Sequence, residues 1–424
     1  MTSLKFGTSG LRGLVSELVG LPTYSHVRAF CAMLGEDDER ATREVLIGQD
    51  LRSSSPLMAA QAAQAIVDAG FTPVDCGALP TPALALAAMT RAAAAVMVTG
   101  SHIPDDRNGL KFYRATGEID KTDEARILAC HAGLALGTLP AVQANPDRHD
   151  ALAAYRARYA AFFGPDALDG LTVGVYQHSS VGRDAICDVL AALGATAIPL
   201  GRSDRFIPVD TEALRPEDEE LARAWAADQR LDAIVSTDGD ADRPLVADEA
   251  GRFLRGDLVG ALTAKFLGAD AIVTPVTSNS ALEQPGLFAR VLRTKVGSPY
   301  VIAGMEQAGA EGARVVVGFE ANGGVLLGSD VARDGRLLPA LPTRDAMLPI
   351  VSILALKRQQ EKPLSEIAAA ARFAIALSNR LQEVPQDRTA ALTARLDADN
   401  SAFRDAASRP MAASRPATVA TGSG

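Results

Sequence analysis

The chain has 424 residues, 48% of them hydrophobic, and a formal net charge of −9. This length and apolar content predict a multidomain globular protein with sizeable cores. The acidic balance argues against nucleic acid as a partner, because binding to a phosphate backbone needs a basic surface. The sequence shows neither an apolar signal segment nor a run of about 18 apolar residues, so we expect a cytoplasmic protein without a membrane anchor.

The first predicted elements follow the order strand, helix, strand. The apolar run at 45–48 predicts a strand, and the next segment predicts a helix that begins at Ser55-Pro56 and ends at Gly70. Serine as N-cap, proline in the first turn and glycine after the last turn are typical helix start and stop signals. The apolar run at 92–98 predicts a second strand, which makes this part of the chain a βαβ unit.

The alternation of strands and helices then recurs twice. The second round is predicted from a helix near 150–163, strands at 171–176, 195–200 and 232–236, and helices that begin near 182 and at Pro216. The third round is predicted from strands at 271–274 and 313–318, a helix near 299–309 between them, and a helix around 343–360. Each round contains a strand that ends in a polar, glycine-bearing loop, which indicates three α/β units.

The segment VTGSHIPDDRNGLKFY at 98–113 places a lone serine directly after a predicted strand. Ser101 therefore lies at the carboxyl end of a strand, the edge where open α/β sheets form their sites. His102 follows it, and an expected Asn-Gly turn at 108–109 would bring Lys111 back toward the serine. Thr-Gly-Ser is also an ordinary turn sequence, so the serine is interpreted as a nucleophile only in the company of these basic groups.

The segment DGDADR at 238–243 alternates aspartates with small residues. Asp238, Asp240 and Asp242 can therefore converge on one point. Mg²⁺ is held by a few carboxylates together with phosphate oxygens, so the spacing predicts such a site. An aspartate-rich surface turn and an EF-hand fragment are the ordinary alternatives for this segment. Together with the serine segment, the aspartates favour phosphoryl transfer.

Three further segments offer groups that could bind an anion or paired hydroxyls. GTSGLRG at 7–13 combines glycine-rich backbone amides with Arg12. FEANGG supplies Glu320 and Asn322, which suit paired hydroxyls, and KVGSPY places Lys295 before a predicted helix. The ordinary alternatives are a flexible N-terminal turn, an Asn-Gly hairpin turn and a common surface sequence, respectively.

Taken in order, these segments resemble the α-D-phosphohexomutases, the family of phosphomannomutase, phosphoglucomutase and phosphoglucosamine mutase. The serine and aspartate segments carry the resemblance, and GQDLRSSSP, PTPAL and RTKVGSPYV support it. The resemblance implies an α/β fold with three consecutive domains around a central cleft and a truncated or remnant fourth domain. The expected bounds are 1–149 for the domain with the phosphoserine, 150–256 for the metal-binding domain, 257–360 for the sugar-recognition domain and 361–424 for the remnant.

The resemblance also implies a role for each candidate residue. The expected catalytic residues are Ser101, His102, Lys111 and Arg12; the metal site comprises Ser101, Asp238, Asp240 and Asp242; and the substrate is bound by Arg243, Lys295, Glu320 and Asn322. In this pattern Ser101 is the phosphoserine, and Arg12 and Lys111 look like the pair that handles the proton beside it. The implied reaction interconverts hexose 6-phosphate and hexose 1-phosphate, with the mannose phosphates as the expected pair, Mg²⁺ as cofactor and a hexose 1,6-bisphosphate as activator.

Some positions depart from the family pattern. Ile103, Gln49 and Gly324 stand where the family often has asparagine, arginine and histidine, so glucose and glucosamine phosphates remain alternative substrates. After Arg404 no segment resembles the loop that grips the distal phosphate, and the tail from about residue 407 is predicted to be disordered. We therefore expect weakened substrate binding and a bisphosphate requirement, with a sugar-phosphate-binding protein of low activity as the second alternative.

Overall fold

The first part of the chain forms a mixed sheet between helices. Its strands are β1 (Lys5–Phe6), β2 (Leu11–Leu14), β3 (Glu44–Gln49), β4 (Thr72–Ala78), β5 (Ala94–Val98), β6 (Arg107–Arg114), β7 (Gly117–Glu118) and β8 (Asp147–Arg148). Its helices are α1 (Val15–Leu18), α2 (Leu21–Glu36), α3 (Ser55–Asp68), α4 (Thr81–Thr90) and α5 (Lys121–Gly133). The strand order is β1-β2-β6-β5-β3-β4-β8, with β7 paired to β6. The central strand β5 is buried throughout, as expected for a strand covered on both faces.

The second part repeats this plan on a smaller scale. Its elements are α6 (Ala151–Phe163), β9 (Thr172–His178), α7 (Arg183–Ala192), β10 (Thr196–Arg202), α8 (Pro216–Asp228), β11 (Ala233–Thr237) and β12 (Pro244–Ala247). The strand order is β10-β9-β11-β12, and β9, β10 and β11 run parallel. Helix α8 begins at a proline and carries acidic residues in its first turn, where the helix dipole favours them.

The third part is again an α/β layer. Its elements are α9 (Gly256–Leu267), β13 (Ala271–Pro275), a 3₁₀ helix (Ser280–Glu283), β14 (Arg290–Thr294), α10 (Ser298–Ala310), β15 (Val316–Phe319), β16 (Val325–Leu327), β17 (Val331–Arg333), β18 (Arg336–Leu338), β19 (Leu341–Asp345), α11 (Met347–Gln360) and α12 (Leu364–Ala370). The sheet order is β14-β13-β15-β16-β19, and β17 and β18 form a separate hairpin.

In all three sheets, the polar loop predicted from the sequence connects the same kinds of strand. In each sheet a strand within the parallel group, β5, β11 or β15, is followed by a loop and then by an antiparallel neighbour, β6, β12 or β16. The serine, aspartate and glutamate segments are these three loops. The structure thus confirms the three α/β units and places each polar loop at the carboxyl end of a strand, where such sheets form their sites.

The three layers share a continuous hydrophobic core. Helices α4, α6, α7, α9 and α11 contribute buried residues to one apolar cluster that runs through all three. Tyr155 and Tyr159 of α6 both donate hydrogen bonds to the buried carboxylate of Asp345 at the end of β19. Burial raises the pKa of Asp345 above its ordinary value, and the two hydroxyl donors oppose this effect. The residues from Met1 to Ala376 accordingly form a single compact unit.

The structure, a computed structural model, describes residues 3–7, 10–36, 42–135, 137–284, 286–374 and 376, with isolated helical residues between 388 and 395. Most of the expected fourth-domain remnant, and all of the tail expected to be disordered, lie outside these residues. Within the described ranges, no helix is both long enough and apolar enough to cross a membrane.

Two sequence-based predictions of secondary structure were wrong in detail. The expected turn at 108–109 lies within β6, because the buried Asn108 amide donates hydrogen bonds to the hydroxyls of Ser54 and Ser55 and is not available to form a turn. The helix expected around 343–360 begins only at Met347, since the preceding residues pair with β16 as strand β19. In both cases partners distant in sequence override the local propensity.

Candidate active site

The serine loop, residues 99–106, joins β5 to β6. Ser101 is buried and has a φ of 55°, a conformation that is uncommon outside glycine and that a buried setting has to enforce. Its backbone N–H donates to the Thr99 hydroxyl at 2.8 Å, and its carbonyl accepts from Arg52 at 2.9 Å. The loop therefore holds the Ser101 side chain at the strand end, as the sequence predicted.

The metal loop, residues 238–243, crosses the sheet edge beside the serine loop. A hydrogen bond from the Asp238 N–H to the Arg243 carbonyl closes it at 3.0 Å, and Ala241 has a φ of 58°. Asp238, Asp240 and Asp242 are buried, and they offer carboxylate oxygens that lie within 4.8 Å of one another. The alternation of aspartates with small residues thus converges on one point, as expected.

The serine loop and the metal loop are in direct contact. The Ser101 hydroxyl donates to Asp238 Oδ2 at 2.5 Å, while Asp238 Oδ1 accepts the Arg243 N–H at 3.2 Å. A Cβ atom on Gly239 would lie 2.8 Å from the Ser101 carbonyl oxygen, so glycine is required for this approach. The residues that meet here are 137 positions apart in sequence.

The aspartate triad retains oxygens that suit a cation. Asp240 Oδ2 accepts from the Thr81 hydroxyl and from Lys111 Nζ, both at 2.6 Å, and Asp242 Oδ2 accepts from Lys111 Nζ at the same distance. The Oδ1 atoms of Asp240 and Asp242 are buried and have no hydrogen-bond partner among the described residues. Since buried carboxylate oxygens are normally paired, this donor set fits a hard divalent cation such as Mg²⁺.

Burial and charge set the protonation of the cluster. Burial, followed by the charges of Asp240 and Asp242, raises the pKa of Asp238 well above its ordinary value. Burial acts in the same direction on Asp242, but Arg344, Lys111 and the other nearby cations outweigh it and lower that pKa. A divalent cation beside Asp238 would favour its ionised form, because opposite charges stabilise each other in a buried site.

Basic residues from different elements balance these carboxylates. Lys111 is buried in β6, and the Nε of Arg243 is 3.7 Å from Asp242 Oδ1. Burial, and then the charges of Arg243 and Arg344, lower the pKa of the Arg12 guanidinium to about 10. Arg12 is close enough to the cluster to interact with these groups, from its position in β2. A site lined by these three basic residues suits a phosphate dianion.

Residues 320–324 form the hairpin loop between β15 and β16, and we call this segment the sugar loop after the role that the resemblance implies. Glu320 is buried, and its Oε2 accepts from Arg344 at 2.9 Å. Asn322 Oδ1 accepts the Gly324 N–H within the loop, and its carbonyl accepts from the Thr211 hydroxyl. The segment is therefore both the hairpin turn that the sequence allowed and a loop that contributes a carboxylate next to the metal loop.

Two predicted site residues, His102 and Lys295, lie at the margin of the site formed by Ser101 and the three aspartates. His102 Nδ1 is 3.3 Å from the Ser101 hydroxyl, with its ring partly exposed. Lys295 is exposed after β14, at the same sheet edge as Glu320, and its Nζ is 5.7 Å from the centre of the Tyr300 ring. Among the described contacts, none joins Lys295 to the aspartate cluster.

The sequence analysis did not identify three residues that hold the site together. Thr81 and Arg52 lie in PTPAL and GQDLRSSSP, segments that supported the resemblance without a role being assigned to them. Thr81 also donates its backbone N–H to the Asp240 carbonyl at 2.9 Å. Arg344, in LPTRDAML, offered no signal beyond being a charged residue within an otherwise buried segment.

Comparison with known proteins agrees with this geometry. Three domain families match: phosphoglucomutase/phosphomannomutase α/β/α domain I at residues 3–134, domain II at 153–251 and domain III at 255–373. A phosphomannomutase from Sinorhizobium fredii is 48% identical over 93% of this chain and 84% of its own length. A phosphomannomutase from Salmonella muenchen is 44% identical over 90% of this chain and 78% of its own length.

Solved structures show the same fold. The crystal structure of a phosphoglucomutase/phosphomannomutase family protein from Burkholderia thailandensis superposes with a TM-score of 0.71, at 20% sequence identity, covering 88% of this chain and 80% of that one. The domain matches together span most of the chain and contain all three loops. The chain therefore belongs to the phosphoglucomutase/phosphomannomutase family, the α-D-phosphohexomutases.

Proposed function

We propose that this protein is a phosphomannomutase, an isomerase that interconverts mannose 6-phosphate and mannose 1-phosphate through a phosphoserine. The observation that carries the proposal is the contact between Ser101 and the metal loop. The Ser101 hydroxyl lies 2.5 Å from Asp238 Oδ2, beside two buried aspartate oxygens that lack partners among the described residues. Family membership and the 48% identical phosphomannomutase support the reaction and the choice of sugar.

Phosphoryl transfer starts from Ser101. The substrate hydroxyl attacks the phosphorus of phosphoserine, the bond between phosphorus and the serine oxygen breaks, and a hexose 1,6-bisphosphate forms. The bisphosphate then reorients, and the Ser101 hydroxyl attacks the phosphorus of its other phosphate. The bond between that phosphorus and the sugar oxygen breaks, which restores phosphoserine and releases the isomeric hexose phosphate. Asp238, Asp240 and Asp242 would hold Mg²⁺, which would supply neutralisation of charge on the transferring phosphoryl group.

The basic residues have distinct roles. Arg243, whose buried Nε lacks a hydrogen-bond partner among the described residues, is placed to donate to the transferring group. Arg12 and Lys111 handle the proton of the reacting hydroxyl. Arg12 suits this role because its lowered pKa, about 10, makes its neutral form, which can accept that proton, easier to reach than in an exposed arginine. His102 lies beside the serine oxygen and contacts the same phosphate.

Substrate recognition falls to the third α/β layer. Glu320 and Asn322 offer a carboxylate and an amide that suit adjacent sugar hydroxyls. Lys295, at the same edge and exposed, is placed to meet the phosphate that is not being transferred. A hexose 1,6-bisphosphate acts as activator, because it can phosphorylate Ser101 whenever the intermediate is lost.

The proposal is tested by measuring the mutase activity of the wild-type protein and of Ser101→Ala. Mannose, glucose and glucosamine 6-phosphates are supplied with Mg²⁺ and a hexose 1,6-bisphosphate, and each 1-phosphate is quantified. We expect the mannose pair to turn over with the highest kcat/KM and Ser101→Ala to be inactive. Peptide mapping should find one phosphate on Ser101 after bisphosphate treatment. Ser203→Ala, which removes a hydroxyl from a surface turn, is the matched control and should keep full activity.

Other outcomes would identify the alternatives. A preference for glucose or glucosamine phosphates would make the protein a different phosphohexomutase. Binding of sugar phosphates without turnover would favour a binding protein of low activity. Full mutase activity in Ser101→Ala would refute the phosphoserine assignment itself.

A further inference from the structure

Arg344 connects two loops that belong to different α/β layers. It lies in β19, and its side chain is only 2% exposed. Its Nε and Nη2 donate to Asp242 Oδ2 of the metal loop at 3.1 and 2.9 Å, and its Nη1 donates to Glu320 Oε2 of the sugar loop at 2.9 Å. One rigid guanidinium thus sets the separation of two carboxylates.

The contact with Asp242 determines which of its oxygens remains available. Asp242 Oδ2 receives two donors from Arg344 and one from Lys111. Asp242 Oδ1, by contrast, has no hydrogen-bond partner among the described residues. The guanidinium therefore occupies one oxygen and orients the other toward the remaining aspartates. Arg344 itself cannot bind a cation, so any effect it has on the cation acts through Asp242.

The backbone of the sugar loop also adapts to Arg344. A Cβ atom on Gly324 would lie 2.8 Å from Arg344 Cδ and 3.0 Å from the Asp242 carbonyl oxygen. The loop can approach the arginine this closely only because residue 324 has no side chain. Gly324 and Arg344 therefore form a matched pair, which holds the sugar loop against the metal loop.

We propose that Arg344 is a positioning residue that aligns the sugar loop with the metal loop, so that a bound hexose phosphate presents its hydroxyl to Ser101. This inference rests on the proposed function. Without the guanidinium, the Glu320 carboxylate would lose its hydrogen bond from Arg344 and could change position. Asp242 would keep its hydrogen bond from Lys111. Substrate alignment should therefore suffer more than cation binding.

The test measures substrate KM and metal affinity separately, in Arg344→Met and Arg344→Lys. We expect KM for the hexose phosphate to rise about ten-fold or more in Arg344→Met, the loss expected when a charge-assisted contact no longer holds a binding group. The dissociation constant for Mn²⁺, measured by calorimetry without substrate, should stay within about three-fold of wild type or become tighter, because a nearby positive charge has been removed. A general structural defect would weaken both.

The lysine variant separates charge from geometry. A lysine ammonium restores one positive charge, but it cannot reproduce a fork that reaches two carboxylates. Arg344→Lys should therefore match wild type in Mn²⁺ affinity while KM stays raised about five-fold or more. Arg333→Met is the matched control, since Arg333 is a partly buried arginine of the same layer that stacks on Phe266, and it should change neither quantity.

A double-mutant cycle with Glu320→Gln tests the route of action. If Arg344 acts through Glu320, the KM effects of Arg344→Met and Glu320→Gln are not additive, and the double variant resembles the worse single variant. Additive effects, an unchanged KM in Arg344→Met, or a parallel loss of Mn²⁺ affinity would overturn the proposal. Wild-type protein that binds Mn²⁺ but turns over no hexose phosphate would instead contradict the proposed function.

Discussion

Replacing Arg52 by lysine tests how strongly the serine loop is held. The Arg52 guanidinium donates to the carbonyls of Ser101, Ile103, Pro104 and Arg107 at distances between 2.6 and 3.0 Å, and to Asp50 Oδ2 at 3.1 Å. These five bonds use every side-chain donor of an arginine, whereas lysine has three. Arg52→Lys therefore loses at least two charge-assisted hydrogen bonds in a buried setting.

Each such bond contributes about 1.5 to 3 kcal/mol, so we expect a loss of roughly 3 kcal/mol or more in the free energy of unfolding. The guanidinium also lies 4.0 Å from the centre of the Phe206 ring, and lysine would not reproduce this stacking. Because the φ of Ser101 depends on the loop being held, phosphorylation of Ser101 by a bisphosphate should slow about ten-fold or more.

The assay is urea unfolding followed by circular dichroism, together with the rate of Ser101 phosphorylation by intact mass. The matched control is Arg91→Lys, because Arg91 pairs with Glu44 on a partly exposed surface. That substitution should cost less than about 1 kcal/mol. If Arg52→Lys were no less stable than Arg91→Lys and phosphorylated at the wild-type rate, the reasoning would be refuted.

Two further predictions concern the metal loop and pH. Asp240→Asn removes a carboxylate from the triad and should weaken Mg²⁺ binding about 100-fold or more, whereas rates that survive a chelator would contradict the Mg²⁺ site. The second concerns His26. Burial lowers the pKa of His26 from 6.5 to about 4; its hydrogen bond to the Pro22 carbonyl opposes this effect, and the nearby charge of His131 adds to it. The folded protein binds that proton less readily than the unfolded chain, so stability is full above pH 6.5 and is lost as pH falls toward 4, by about 3 kcal/mol. His26→Gln should flatten this part of the stability profile, and an unchanged slope between pH 6.5 and 4 would exclude His26 as its source.

The sequence alone was sufficient for features that depend on local spacing. The strands before Ser101, Asp238 and Glu320 were predicted because apolar runs and polar loops alternate along the chain. The aspartate spacing likewise predicted convergence, since a short loop with small residues between carboxylates can curl on itself. These predictions depend only on the pattern of residues that are close together in the sequence.

The tertiary structure decided which distant groups meet those loops. Thr81 reaches Asp240 across 159 positions, and Arg344 reaches Asp242 across 102, separations for which local patterns carry no information. Asn108 was predicted to lie in a turn, but its buried amide donates hydrogen bonds to the hydroxyls of Ser54 and Ser55, which follow β3. The physical reason is the same in each case: a buried polar group must find a hydrogen-bond partner, and only the folded chain determines which one lies within reach.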